Sequence, residues 1–299
     1  MKKLILLACL FSTLIAKAQQ EPQYTLNQFN SQLEINPAYA GANDGTSVGL
    51  RYRKQWAGFE GAPSTLGLNA ESKILQKRLA AGLTVISDRI GITQNLSVDL
   101  SLASHLRVSE NGFLSVGIKL GANLIRSDFS MLLNVDPTDL LYVTDNVNIP
   151  YAGFGALYYT DRFYAGFSIP RIISFGDVAP QTTITKPHYY LYGGYRITLN
   201  DDIELRPALL GKYVSAAPFE VDVAMDVWYR NQFGLGLSYR TMDAVSFTVK
   251  SQLKQIYIGY SYDMTVSALR TFNSGSHEIY LGYPFGKKGM PDRTETIRY

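Results

Sequence analysis

Glu220-Val221-Asp222-Val223-Ala224-Met225-Asp226-Val227-Trp228-Tyr229 reads as a strand with two unlike faces. On a pleated backbone successive side chains point to opposite sides. Val221, Val223, Met225, Val227 and Tyr229 then share an apolar face, and Glu220, Asp222, Ala224, Asp226 and Trp228 a mostly polar one. A chain that repeats this alternation in strand after strand is built to face two different solvents. A closed transmembrane barrel, apolar outside and polar within, meets that condition.

Working outward, the same pattern marks about fourteen strands: 46–54, 64–72, 79–88, 95–108, 112–126, 150–160, 162–170, 187–199, 202–215, 219–229, 232–240, 244–252, 255–263 and 276–285. Most are close to the ~9–11 residues that a tilted strand needs to cross a bilayer. The connections are expected to alternate between tight turns and long loops. Ser109-Glu110-Asn111, Thr160-Asp161, Asn200-Asp201, Arg230-Asn231 and Leu253-Lys254 are tight and follow even-numbered strands. Ser127 to Ile149, Arg171 to Lys186 and Met264 to Gly275 are long and follow odd-numbered ones. Short turns belong on the periplasmic side and long loops outside, so both termini are expected in the periplasm. The expected fold is an all-β, antiparallel transmembrane β-barrel of about fourteen strands with an N-terminal plug-like segment. A soluble sandwich shares the alternation but explains neither the loop parity nor the leader described next.

Residues 1–18 read as a cleaved secretory signal. Lys2 and Lys3 precede an apolar run from Leu4 to Ala16, and Ala16-Lys17-Ala18 is a small-x-small cleavage site before Gln19. Leu6-Leu7-Ala8-Cys9 has the outline of a lipoprotein signal, but cleavage there leaves too short an apolar core. Residues 19–45 then form a periplasmic or plug segment, 46–285 the barrel, and 286–299 a polar, basic periplasmic tail. Outer-membrane location follows. Cys9 is the only cysteine, so the mature chain offers no disulfide and no thiolate chemistry. A net charge of +3 without a basic patch gives nucleic-acid binding no support. No later segment has the roughly twenty apolar residues of a membrane helix.

Side-chain directions can be assigned strand by strand. Val98, Leu100, Leu102, Leu106 and Val108 are expected to face lipid, with Asp99, Ser101, His105 and Arg107 in the lumen. Leu114, Val116, Ile118, Leu120 and Leu124 point out, with Gly117, Lys119 and Asn123 inside. Phe233, Leu235, Leu237 and Tyr239 alternate with Gly234, Gly236 and Ser238. Tyr189, Tyr195, Trp228, Tyr229, Tyr260, Tyr280 and Tyr283 suit interfacial girdles.

Catalytic and metal-binding patterns are sparse. His105, Ser101 and Asp99 share a lumen face, but a mid-strand cluster suits neither lipid nor protein substrates, and a hydrogen-bonded interior histidine is the simpler reading. His188 and His277 have no evident nucleophile. Asp136, Asp139, Asp145 and Asn146 offer oxygens in the longest loop at no recognised calcium-loop spacing. The Gly-x-Gly pairs at Gly153 and Gly234 read as strand glycines facing other backbone. No catalytic residue, cofactor or metal site is expected. The lumen offers charges of both signs instead: Asp99, Arg107, Lys119, Arg196, Glu204, Arg206, Lys212, Glu220, Asp222, Asp226, Lys250 and Asp263, six acidic and six basic. That balance suits a salt-bridged interior. The alternative is a passive channel or transporter for small or hydrophobic solutes.

The start of the mature chain carries motifs of another kind. Gln23-Tyr24, Asn27-Gln28 and Asn36-Pro37-Ala38-Tyr39-Ala40-Gly41 precede the first strand. Arg51-Tyr52-Arg53-Lys54-Gln55-Trp56-Ala57-Gly58-Phe59-Glu60-Gly61-Ala62-Pro63-Ser64-Thr65 covers that strand and the next loop. Together these resemble the PorP/SprF family of Bacteroidetes outer-membrane proteins. The resemblance implies a role with type IX secretion and, in some members, gliding motility, assisting export or surface attachment of large adhesins through their C-terminal sorting domains. Expected partners are therefore outer-membrane lipid, the secretion machinery and such an adhesin. Gln23, Tyr24, Asn36, Pro37, Ala38, Tyr39, Gly41, Trp56, Gly58, Phe59 and Pro63 are the candidate interaction residues. Asn36 to Gly45 also reads as a corner into the barrel, bent by Pro37 and freed by Gly41 and Gly45. Trp56 and Phe59 fall in the first outer loop as exposed aromatics.

Overall fold

A computed structural model describes residues 32–43, 45–74, 78–128, 145–175, 186–215 and 217–285. Its strands are β1 (Thr46–Lys54), β2 (Ser64–Ile74), β3 (Leu79–Ile90), β4 (Thr93–Arg107), β5 (Phe113–Ser127), β6 (Asp145–Tyr159), β7 (Phe163–Ser174), β8 (His188–Tyr195), β9 (Ile197–Thr198), β10 (Ile203–Val214), β11 (Glu220–Tyr229), β12 (Phe233–Arg240), β13 (Ala244–Leu253), β14 (Ile256–Thr265) and β15 (Ser276–Phe285). β8 and β9 both pair with β10 and are two pieces of one stave, so the wall has fourteen staves, as the alternation predicts. Pro207 stands across from the break at Tyr195–Arg196 and has no N–H to give the ladder.

The wall closes on itself. β1 pairs antiparallel with β2 on one side and with β15 on the other, from Thr46↔Phe285 to Lys54↔His277. Closure removes the exposed sheet edge, whose unpaired amides lipid could not satisfy. A bulge also interrupts the register: Gly153 of β6 faces the Pro170 carbonyl of β7, a close approach that a larger residue would block.

Facing follows the sequence pattern closely. On β12, Leu235 and Leu237 are 64% and 53% exposed, whereas Ser238 is buried. On β11, Val223, Met225 and Val227 are exposed and Asp222, Ala224, Asp226 and Trp228 are buried. An apolar exterior over a polar interior is the inverse of a soluble core, and it is the arrangement a bilayer selects. Two of the expected girdle residues are corrected: Trp228 and Tyr280 point inward and are buried, while Tyr189, Tyr195, Tyr229, Tyr260 and Tyr283 point out. An aromatic ring suits a barrel interior as well as an interface, so type alone did not separate them.

The connections differ from strict alternation. The end that carries the long loops also holds two tight turns, Gly91–Ile92 and Thr241–Asp243. Gly91 (φ 56°) and Met242 (φ 59°) adopt the left-handed backbone that such short hairpins need. The segment 145–149, expected in the longest loop, belongs to β6.

Candidate functional site

The interior of the barrel is occupied by the chain's own N-terminal segment. Asn36 caps a short 3-10 turn, Pro37–Tyr39, its side chain accepting from the Ala38 amide at 2.8 Å. Proline at the first turn position loses nothing, since its missing amide has no partner there. Gly41 (φ 71°) and Gly45 (φ 96°) then swing the chain into β1. The expected corner is thus present, and it lies inside the wall.

Polar groups along this segment meet strands on several sides. Asn36 Nδ2 donates to the Ala156 carbonyl of β6 (3.0 Å) and the Tyr192 hydroxyl of β8 (2.8 Å). Ser168 of β7 donates to the Ile35 carbonyl (2.6 Å), Ser115 of β5 to that of Ala38 (2.7 Å), and Lys119 of β5 to that of Glu34 (2.7 Å). His105 of β4 meets the Ala40 carbonyl through Nε2 (2.8 Å) and the Tyr159 hydroxyl through Nδ1 (2.9 Å). Glu71 of β2 accepts from the Gly41 amide (3.0 Å), Asn43 (2.9 Å) and Ser47 (3.1 Å). Leu33, Ile35, Ala38, Tyr39 and Ala40 pack into one buried cluster with Leu157, Tyr159, Tyr164, Tyr190, Tyr192 and Leu210. Apolar burial therefore holds the segment while hydrogen bonds fix its register.

The remaining inner surface is cross-linked by charge. Arg51 of β1 pairs with Glu34 of the segment at 2.8 Å, and Lys119 with Asp99 at 3.0 Å, where Tyr151 also donates. A continuous chain of ion pairs then links side chains from six strands, stepping over β13. Glu278 meets Arg53 (3.1 Å), Arg53 meets Asp263 (2.7 Å), and Asp263 meets Arg240 (3.9 Å). Arg240 meets Asp222 (3.1 Å), Asp222 meets Lys212 (3.3 Å), and Lys212 meets Glu220 (2.6 Å). Lys250 pairs with Asp226, and Glu204 bridges Arg196 (3.2 Å) and Arg206 (2.5 Å). Arg206 also lies over the Trp228 ring, 4.5 Å from its centroid. Such groups leave water only because each meets an opposite charge and further donors.

Several expectations about individual residues change. Arg107 does not join the lumen network; it is exposed at the end of β4 and donates to the Ser109 and Glu110 carbonyls of the turn. Parity is right for it, but the strand ends there. Arg51, Arg53, Glu71, Arg240, Glu278 and Glu34 are further interior groups; alternation with Tyr52, Ala70, Tyr239 and Ile279 is the signal for the first five, whereas Glu34 lies in no strand and carries no such signal. Asp99, Ser101 and His105 form no catalytic relay: both His105 nitrogens face Ala40 and Tyr159, and Asp99 faces Lys119 and Tyr151. Gly234 faces the Trp228 indole and not another backbone. His188 and His277 lie at the starts of β8 and β15. Gln23, Tyr24, Asp136 and Asp139 lie outside the described residues, as does the Asp145 side chain; Asn146 is exposed in β6. Among the described residues no group of three or more His, Cys, Asp or Glu side chains could hold a metal ion.

The first loop is half open. Phe59 and Gly58 are exposed, whereas Trp56 is half-buried, in a left-handed conformation (φ 47°), with its amide on Ser276 Oγ at 3.1 Å. Gln55 donates to the Pro63 carbonyl (3.0 Å), and Ala57 exchanges hydrogen bonds with Gly275 (2.7 Å) and Ser274 (2.8 Å). The loop is therefore laced to the one before β15.

The family profile described as "Type IX secretion system membrane protein PorP/SprF" matches residues 16–283. The chain belongs to the PorP/SprF family. The match spans nearly all of the described barrel and the segment within it, so the filled lumen lies inside the family's own sequence. Outer-membrane location and an association with type IX secretion follow from this PorP/SprF membership. No curated protein matches the chain. Among solved structures it is similar to CdiB from Acinetobacter baumannii, at 8% identity and a TM-score of 0.46 over 81% of this chain, spanning only 60% of that one. It is also similar to the Pseudomonas putida toluene transporter TodX, at 8% identity and 0.48 over 87% of this chain and 95% of that one. A FadL homologue from Pseudomonas aeruginosa gives 12% identity and 0.46 over 84% and 93%. What those proteins carry is no guide to what this PorP/SprF chain does.

Proposed function

We propose that this chain is a non-enzymatic outer-membrane platform that assists the export or surface anchoring of a large secreted adhesin, with gliding motility as one output. The observation that carries this reading is the filled interior. Inward-facing Ser101, Ser115, Asn123, Ser168, Ser261 and Glu278 each have 0% of their surface accessible, although they line the barrel interior at several heights. A water-filled passage would leave such groups wet, so the filled lumen supports a platform over a passive channel. Family membership supplies the association with type IX secretion.

In this reading the long-loop end faces outward and receives the secreted protein, and residues 19–31 and 286–299 meet the machinery in the periplasm. Phe59 stands exposed at the long-loop end, as a contact residue would. The test is surface display in the native host. Shortening the β5–β6, β7–β8 and β14–β15 connections should leave a folded barrel and abolish display of the secreted protein. Display at the wild-type level by a folded variant would sink the proposal.

A further inference from the structure

The outer wall changes character along one line. In β15, β1, β2, β3, β4 and β5 the residues His277, Lys54, Ser64, Arg89, Gln94 and Arg126 are direct cross-strand neighbours: His277↔Lys54, Lys54↔Ser64, Ser64↔Arg89, Arg89↔Gln94 and Gln94↔Arg126. All six sit on the outward parity of their strands, at the long-loop end. On five of the six strands the row comes where the outward apolar run stops: after Ile279 on β15, Tyr52 on β1, Leu66 on β2, Leu96 on β4 and Leu124 on β5; on β3 Ser87 stands between Val85 and Arg89.

The row holds three permanent cations and no carboxylate. Arg89, Gln94 and Arg126 are exposed, and Lys54, Ser64 and His277 are half-buried. Among the described residues no acid pairs with Lys54, Arg89 or Arg126; Lys54 donates to the Ala62 carbonyl at 3.1 Å and keeps further protons to give. At the same end of β14, β13 and β12 the outward neighbours are Met264, Val245 and Tyr239, with no charge at all. The cationic row is thus confined to one side of the barrel. At ~4.8 Å between strands, Lys54, Arg89 and Arg126 stand roughly 10 Å apart in turn.

We propose that this row binds the phosphate groups of an outer-leaflet glycolipid of the lipid A type. Three features fit that ligand. Phosphate carries enough negative charge to draw unpaired guanidinium groups, which match it bidentately. The hydroxyl and amide of Ser64 and Gln94 lie between the cations and suit sugar oxygens. Directly below lie Tyr52, Leu66, Ser87, Leu96 and Leu124, a mostly apolar line where acyl chains of the same molecule would pack. An acidic protein has no reason to need that apolar margin. The choice of leaflet rests on the loop orientation proposed above; recognition of lipid phosphate does not.

The test uses the purified full-length mature barrel and native mass spectrometry with added diphosphoryl lipid A, dephosphorylated lipid A or phosphatidylglycerol. The wild type should retain diphosphoryl lipid A at least ten-fold more than either of the others. K54S/R89Q/R126Q should lose that preference ten-fold or more, while R89K/R126K, which keeps the charge but not the bidentate fork, loses only part of it. Folding of each variant is checked by heat-dependent migration on a gel, and R126Q alone, at the exposed end of the row, should show a partial loss. Undiminished binding by the folded triple variant overturns the site, as does equal retention of dephosphorylated lipid. Equal retention of phosphatidylglycerol overturns the outer-leaflet source and leaves phosphate recognition standing. Competition by poly-glutamate as effective as by lipid A overturns the lipid in favour of an acidic protein. None of these readouts involves secreted-protein display, so this site and the platform role can fail separately.

Discussion

At Gly117 and Gly155 the wall has no room for a methyl group. A Cβ on Gly117 would lie 2.4 Å from the Ala38 nitrogen, and one on Gly155 would lie 2.0 Å from Asn36 Oδ1. These glycines are therefore the floor of the seat into which Asn36–Ala38 fits. Gly155→Val should destabilise the barrel by about 1–3 kcal/mol, since the segment must shift or the wall must bend; the check is denaturant unfolding in lipid vesicles. Glu34 and Arg51 make a second residue-scale case. Removing the carboxylate alone, as Glu34→Ala, leaves a buried guanidinium and should cost about 3–5 kcal/mol, whereas Glu34→Leu with Arg51→Met should recover most of it. Equal losses in the single and double variants would show that the pair is not coupled.

At the scale of the strand, facing decides the response to a charge. Leu237→Arg puts a cation on the outward side of β12 and should cost about 2–4 kcal/mol in folding into bilayers if that position lies near the midplane. A negligible effect would undercut the facing assignment. The strands themselves were readable from sequence because a period of two survives over eight to fifteen residues, as in Glu220–Tyr229 and Thr93–Arg107. Depth and partner were not readable. Alternation puts Arg53 inside but does not say that it meets Glu278, which is 225 residues away. Parity likewise puts Arg107 inside, although its strand has ended there. Trp228 and Tyr280 show the converse, since their rings suit either environment. The break at Arg196 had a visible cause in Pro207, but only the register places that proline opposite it.

At the scale of the molecule, the Asn-Pro-Ala-Tyr-Ala-Gly block at residues 36–41 changes meaning once the fold is known. It was legible as a motif and as a corner, yet nothing local says that the corner sits inside the wall. Its contacts reach β2, β4, β5, β6, β7 and β8, across sequence separations of up to 156 residues. A fourteen-stave wall surrounds a segment held by apolar packing, with a cross-strand chain of ion pairs on the facing side. The molecule is in that sense a cylinder occupied by its own segment, and in the proposed reading its working surfaces are its two ends and its lipid face. The central claim is that this cylinder does not conduct. Single-channel recording of the purified full-length protein in planar bilayers tests it directly: inserted protein should give no steady ionic current, and a stable open-channel conductance from the folded wild type would contradict the account.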